Sequence, residues 1–181
     1  MLINKNTKII GEKVVLVPYV SKHVECYNNW MQDADLREQT DSELLTLDEE
    51  YENCKSWRES NDKITFILLA ADLNEMIGDI NGFVHEDGIE LSVMIANKSY
   101  RGKGCAKEAI NLLMKYCQIM LNQSRFFAII NNDNVSSIQL FEKIGFGITS
   151  IMEVFKQTKL ALTINYQIPS ICLDYYVNED L

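Results

Sequence analysis

The run Arg101-Gly102-Lys103-Gly104-Cys105-Ala106 puts two glycines and two basic residues within four positions, and a long amphipathic stretch follows at once. A glycine-rich basic turn at the mouth of a helix can hold an anion. The first amides of a helix lack partners inside it and point outward. The helix dipole adds partial positive charge at the same end, and glycine lets the backbone approach an anion closely. Lys107 adds a further cation. The same residues also read as a solvated turn with ordinary surface cations, because short glycine motifs are common. Other phosphate loops fit poorly. No GxxxxGK[ST] run is present, and Lys107 stands where GxGxxG needs its last glycine.

The elements around this loop follow from periodicity. Residues 13–20, KVVLVPYV, read as a strand with Pro18 at its edge or end. Ser21 then caps a helix over 22–31, with Val24, Tyr27 and Met31 on one face. Thr46 and Glu49 have capping-box spacing, and Leu47, Tyr51, Cys54 and Trp57 give the following helix an apolar face. Three strand-like runs, 64–71, 76–84 and 89–96, are separated by short polar turns and predict an antiparallel meander. The loop follows, then a helix from about 103 to 121 with Ala106, Ile110, Leu113, Cys117 and Met120 as its stripe. After that crossover, strand 125–130 lies parallel to strand 89–96. A short helix starts at Asn134 and stops at Gly145, a closing hairpin comes next, and the tail reads as a last strand with a frayed acidic end.

Bulk properties limit the function. A chain of 181 residues, 47% hydrophobic, suits one domain over 1–181. The net charge of −9 argues against nucleic acid as partner and favours cationic ones such as free amines. Cys26, Cys54, Cys105, Cys117 and Cys172 form no CxxC pair, so neither a disulfide framework nor a metal site is expected. Without a signal-like start or a spanning apolar run, the expected setting is cytoplasmic or nuclear, away from membranes.

The loop gains meaning from a second motif. RGKGCA resembles the R/Q-x-x-G-x-G/A pyrophosphate loop of the GNAT superfamily, the acetyl-CoA-dependent N-acyltransferases. NVSSIQLFEKIGF, residues 134–146, resembles that family's second signature, in the family's order. Gly104–Ala109 is similar to the branch of bacterial ribosomal-protein alanine acetyltransferases. VVLVPYVSKHVECYNNWM and MIGDINGFV resemble the eukaryotic N-acetyltransferase-nine-like subgroup more closely. The likeness covers nearly the whole chain.

This resemblance implies a mixed α/β (α+β) fold: a mostly antiparallel central sheet, two splayed parallel strands forming a cofactor slot, and helices on both faces. It implies that Met94, Ile95 and Ala96 offer backbone groups to the pantetheine arm. Arg101, Gly102, Lys103, Gly104, Cys105 and Ala106 would cradle the pyrophosphate. Asn134 would contact the cofactor, and Phe141 would pack near the pantetheine or thiol. Glu90, six residues before Ala96 on the same strand, would be the general base, or else a polar strand residue beside a turn. Many family members carry a tyrosine acid where this chain has Phe141. Cys105 reads as structural, Trp30 and Trp57 as core, His23 as a helix-surface residue and His85 as a turn residue. Asp33, Asp35, Glu38, Asp41 and Glu43 form an acidic patch, either a solvated face or a border of the acceptor site. The implied activity is transfer of acetyl from acetyl-CoA to a protein N-terminal α-amine, with tubulin as a subgroup-type substrate. The alternatives are a non-catalytic binding module and a small-molecule amine acetyltransferase.

Overall fold

The structure is a computed structural model that describes residues 1–166 and 170–177. Strands β1 (Thr7–Ile10) and β2 (Val14–Pro18) open the chain. A 3₁₀ turn at Ser21–His23 leads into α1 (Val24–Trp30), followed by α2 (Ala34–Thr40) and α3 (Leu47–Glu59). The meander is β3 (Lys63–Ala70), β4 (Met76–His85) and β5 (Gly88–Ile95). Helix α4 (Cys105–Leu121), β6 (Arg125–Asn131), α5 (Val135–Ile144), β7 (Gly147–Met152), β8 (Gln157–Thr163) and β9 (Cys172–Tyr175) complete it. No helix among the described residues is long and apolar enough to cross a membrane.

All strands join one sheet in the order β7-β8-β6-β5-β4-β3-β2-β1-β9. Among the described strands, the one parallel neighbour pair is β5 with β6; every other pairing is antiparallel. Period-two alternation sends Ile64, Phe66, Leu68, Ile80, Ile89 and Leu91 to one face, where α4 and α5 bury them. The other face receives α1 and α3 over Ile67 and Met94.

Three cross-strand rows on that second face bring polar residues in among apolar ones. Lys63 is opposite Phe83, which is opposite Glu90. Thr65, Asn81 and Ser92 form the next row, and Ile67, Asp79 and Met94 the third. The sequence of β4 looks apolar, yet its alternation puts Asp79 and Asn81 together on the α1–α3 side.

Several local expectations need correction. The polar stretch after α1 holds helix α2, whose cap is Asp33: its Oδ1 accepts the Asp35 amide at 3.0 Å. The capping box at Thr46 and Glu49 forms as expected. The inward face of α3, however, runs through Glu50 and Cys54, while Leu47 and Tyr51 are exposed. A charge can turn inward here because Tyr19 Oη donates to Glu50 Oε1 at 2.8 Å. His23 is buried, not on the surface, and its Nδ1 accepts the Val20 amide. His85 ends β4 rather than sitting in a turn. The last strand is β9, added beside β1; the frayed end falls at 178–181, outside the described residues.

Candidate active site

Strands β5 and β6 pair at Ile89–Phe126 and Glu90–Phe127 and then part. A cavity of about 560 Å³ fills the split. Met94 and Ile95 of β5 form one wall, Ile129 and Ile130 of β6 face them, and Leu140 and Phe141 come from α5. Its far end is the glycine loop.

The loop has the backbone an anion cradle needs. Gly102 and Gly104 have φ of +73° and +88°, left-handed values that favour glycine. Nothing lies within 4 Å of a Cβ placed on Gly102, so the approach is open. Gly104 precedes the first turn of α4, whose amides face outward. Arg101 Nε donates to the Ile95 carbonyl at 2.8 Å, tying the loop to the end of β5. Glu108, in the first turn of α4, accepts the amides of Glu12, Lys13 and Val14 at 3.1, 2.7 and 2.8 Å. This clamp brings Lys13 against the loop, and its Nζ donates to the Lys103 carbonyl at 2.8 Å.

Among the residues named from the sequence, Met94, Ile95, Arg101, Gly102, Gly104, Cys105, Ala106, Asn134 and Phe141 border this slot. Ala96 packs instead into the α1–α3 core, and Lys103 lies with its Nζ over the Tyr100 ring. Asn134 caps α5, its Oδ1 accepting the Ser137 amide at 3.2 Å. Phe141 is buried and stands edge-on to Phe146. Burial pushes the Cys105 thiol up, which keeps it protonated. Lys107 and Lys143 also border the slot. Lys143 was legible only as part of the second signature, without a role.

A second cavity, of about 440 Å³, adjoins the slot. Gln39, Thr40, Ser92 and Ile129 line both, so the two spaces meet where β5 and β6 divide. Glu90 faces this second cavity and pairs with His85, its Oε2 lying 3.3 Å from Nε2. Asp41 and Glu43, from the acidic patch, line its rim. Trp57 is a wall of the cavity rather than plain core, and the Lys63 ammonium sits 3.3 Å from its ring centre.

The floor of this cavity is a buried polar network that the sequence did not disclose. Thr65 Oγ1 donates to Asn81 Oδ1 at 2.7 Å, and Asn81 Nδ2 donates to Asp79 Oδ2 at 2.8 Å. Tyr27 Oη donates to the same oxygen at 3.4 Å. Burial raises the Asp79 carboxyl to about 6, against the opposing pull of Asn81 and Lys63. Burial also pushes Glu50 up and lowers Lys63 to about 8.

A slot that ends in an anion cradle and opens through a split sheet onto a polar cavity has room for an acyl donor on one side and an acceptor on the other. Residues 13–147 match the acetyltransferase (GNAT) domain, and the chain belongs to that family of acetyltransferases. It is 43% identical over 175 residues to an N-acetyltransferase 9-like protein of Caenorhabditis briggsae, covering 90% of this chain and 88% of the relative. It is 42% identical over 176 residues to the alpha/beta-tubulin-N-acetyltransferase 9 of Drosophila melanogaster, covering 88% of each. Solved structures share the fold at lower identity. The spermidine N-acetyltransferase of Vibrio cholerae, in complex with CoA and spermine, superposes with a TM-score of 0.76 at 18% identity, over 84% of this chain and 96% of that one. The Salmonella typhimurium acetyltransferase that modifies the N-terminal serine of ribosomal protein L7/L12 gives 0.77 at 15%, over 88% and 99%.

Proposed function

We propose that this N-acetyltransferase moves the acetyl group of acetyl-CoA to the α-amine at a protein N-terminus, with tubulin chains as the first acceptors to test. The observation that carries this reading is the junction at Ser92 and Ile129, where the donor slot opens into a cavity lined by carboxylates. The slot suits acetyl-CoA: glycine amides and Arg101 for the pyrophosphate, and a strand end and apolar wall for the pantetheine arm. Relatives named for tubulin N-acetylation support the acceptor class. The expected location is the cytoplasm.

Acetyl-CoA supplies an activated thioester. Free strand amides at the β5 edge stabilise charge on its carbonyl oxygen. An α-amine has a pKa near 8, so a modest base suffices to keep the nucleophile neutral. Glu90 is the proposed base, reached through water, with His85 beside it to hold the carboxylate in place. Phe141 has no hydroxyl to protonate the leaving thiolate, so that proton comes from solvent. The same residue sustains a second reading, in which the fold binds acetyl-CoA and a partner without transfer.

The test is acetylation of a peptide library with labelled acetyl-CoA, mapping sites by mass spectrometry. Label at the α-amine of tubulin N-terminal peptides is the expected result. Label on lysine side chains or small amines would change the acceptor class, and acetyl-CoA binding without any transfer would favour the binding module.

A further inference from the structure

The second cavity holds more buried negative charge than positive. Glu50 and Asp79 are each 2% exposed, and both line it. Lys63 is the one lysine or arginine among its described lining residues. The Lys63 ammonium lies over the rings of Trp57 and Phe83, 3.3 and 4.6 Å from their centres, and the ion pairs of the described residues do not join it to Asp79. Tyr19 serves Glu50. Among the described residues, neither buried carboxylate has a direct cationic partner, and a buried charge without one is costly.

Asp79 differs from Glu50 in that it lies across the ladder from Met94, and its hydrogen bonds say which atom is available. Both of its hydrogen bonds, from Asn81 and Tyr27, end on Oδ2. Oδ1 accepts none. The sealed side-chain polar atoms without a partner, among the described residues, are Asn4 Oδ1 and Tyr176 Oη. Asp79 Oδ1 is not one of them, and Asp79 lines the cavity. Asp79 also lies directly across the β4–β5 ladder from Met94, where the donor slot begins to open.

We propose that Asp79 Oδ1 binds the ammonium of the incoming acceptor, so that a free, charged amine is the feature this cavity selects. The proposal rests on the acyl-transfer reading of the site and names its recognition group. Glu90 sits two rows away along the sheet. The division of labour follows from that spacing: Asp79 holds the nitrogen, and its departing proton reaches Glu90 through water. Asn81 and Thr65 orient Asp79 by a relay of hydrogen bonds, and Tyr27 fixes its second edge. The raised carboxyl of Asp79 supports the assignment, because a bound cation is what such a group needs to ionise fully.

The experiment compares two peptides copying an α-tubulin N-terminus, one with its α-amine and one in which hydrogen replaces that amine. Calorimetry is run with coenzyme A present, so that no transfer is required. Wild type should bind the free-amine peptide at least about tenfold more tightly, the scale of one charge-assisted hydrogen bond. Asp79→Asn should bind the two alike while keeping its coenzyme A affinity, which certifies its fold. In transfer assays the variant should raise the acceptor KM far more than it lowers kcat. The wild type gives a second, independent measure. Its preference for the free amine should fade below pH about 6 as Asp79 takes up a proton, with Tyr27, Glu50 and Lys63 the charged or titratable groups facing it and Glu90 and His85 farther along the cavity. A wild type that does not discriminate, or binds neither peptide, overturns the proposal. So does an Asp79→Asn variant that still discriminates, or that loses kcat at unchanged KM. Discrimination without transfer would overturn the enzymatic reading alone.

Discussion

The carbonyl oxygen of Met94 occupies the place that a side chain on Gly78 would need: a Cβ built on Gly78 lies 1.9 Å from it. The contact joins β4 to the stretch of β5 that walls the donor slot. Gly78→Ala must therefore push β5 outward. Overpacking of this kind costs about 1–3 kcal/mol, and the displaced strand should lose its hold on acetyl-CoA. Denaturant unfolding and calorimetry check both; unchanged acetyl-CoA affinity would show that the wall tolerates movement.

At the loop, bulk and charge are expected to act unequally. Gly104→Trp puts a large side chain at a left-handed position, 3.0 Å from Lys13 Nζ, and should abolish acetyl-CoA binding in a folded protein. Arg101→Ala should weaken binding about tenfold, since backbone amides carry much of the contact and one charge-assisted bond is lost. Calorimetry on both variants decides the point.

Glu90→Gln is nearly isosteric and should leave acetyl-CoA affinity intact. Transfer should slow by roughly 10²–10⁴, the usual share of a positioned base. The deficit should shrink as pH rises toward the amine pKa. A rate indifferent to Glu90→Gln would move the base elsewhere in the cavity.

Asp79 has a stability signature of its own. Its carboxyl rises from 3.8 to about 6 on folding, so the folded state binds a proton more tightly. That contribution is complete below pH 3.8 and is lost as pH climbs through 6. A shift of about two units corresponds to about 3 kcal/mol. Asp79→Asn avoids the loss. It should be more stable than wild type at pH 8, with the gain disappearing toward pH 4, as read by denaturant unfolding across that range.

Phe141→Tyr adds a hydroxyl on a ring that already borders the slot. Acetyl-CoA binding should persist and the transfer rate should rise, as measured by a saturating-substrate assay. No gain would mean that departure of the thiolate is not limiting.

The slot between β5 and β6 was legible in the sequence because the features that build it are local. Gly102 and Gly104 announce their backbone, Asn134 its cap and α4 its stripe, all within short windows. The fold followed from the meander and the single crossover. The second cavity was hidden for the opposite reason. Tyr27, Glu50, Lys63 and Asp79 come from α1, α3, β3 and β4, and only sheet register and helix packing bring them together. Asp79 and Asn81 sat inside a run read simply as a strand, Glu50 fell outside the apolar face read for its helix, and Trp57 was assigned to core. Helix α2 was missed because its residues form a polar stretch with no apolar period, and it is held by the Asp33 cap. Strand β1 was missed because four residues offer too short a pattern, and β9 completes it from the far end of the chain.

Ser92 and Ile129 belong to both cavities, so the two spaces share a wall. Whatever fills the donor slot reshapes one side of the acceptor space. By reciprocity, any change that one ligand makes in the other's affinity is returned by the same factor. Burial keeps the Cys105 thiol protonated, which favours direct transfer between two ligands bound together over a cysteine-bound intermediate. Initial-rate lines at several acceptor concentrations should then intersect rather than run parallel. Free coenzyme A, by completing the same wall, should hold the acceptor in a dead-end complex, making the enzyme responsive to the ratio of acetylated to free cofactor rather than to acetyl-CoA alone.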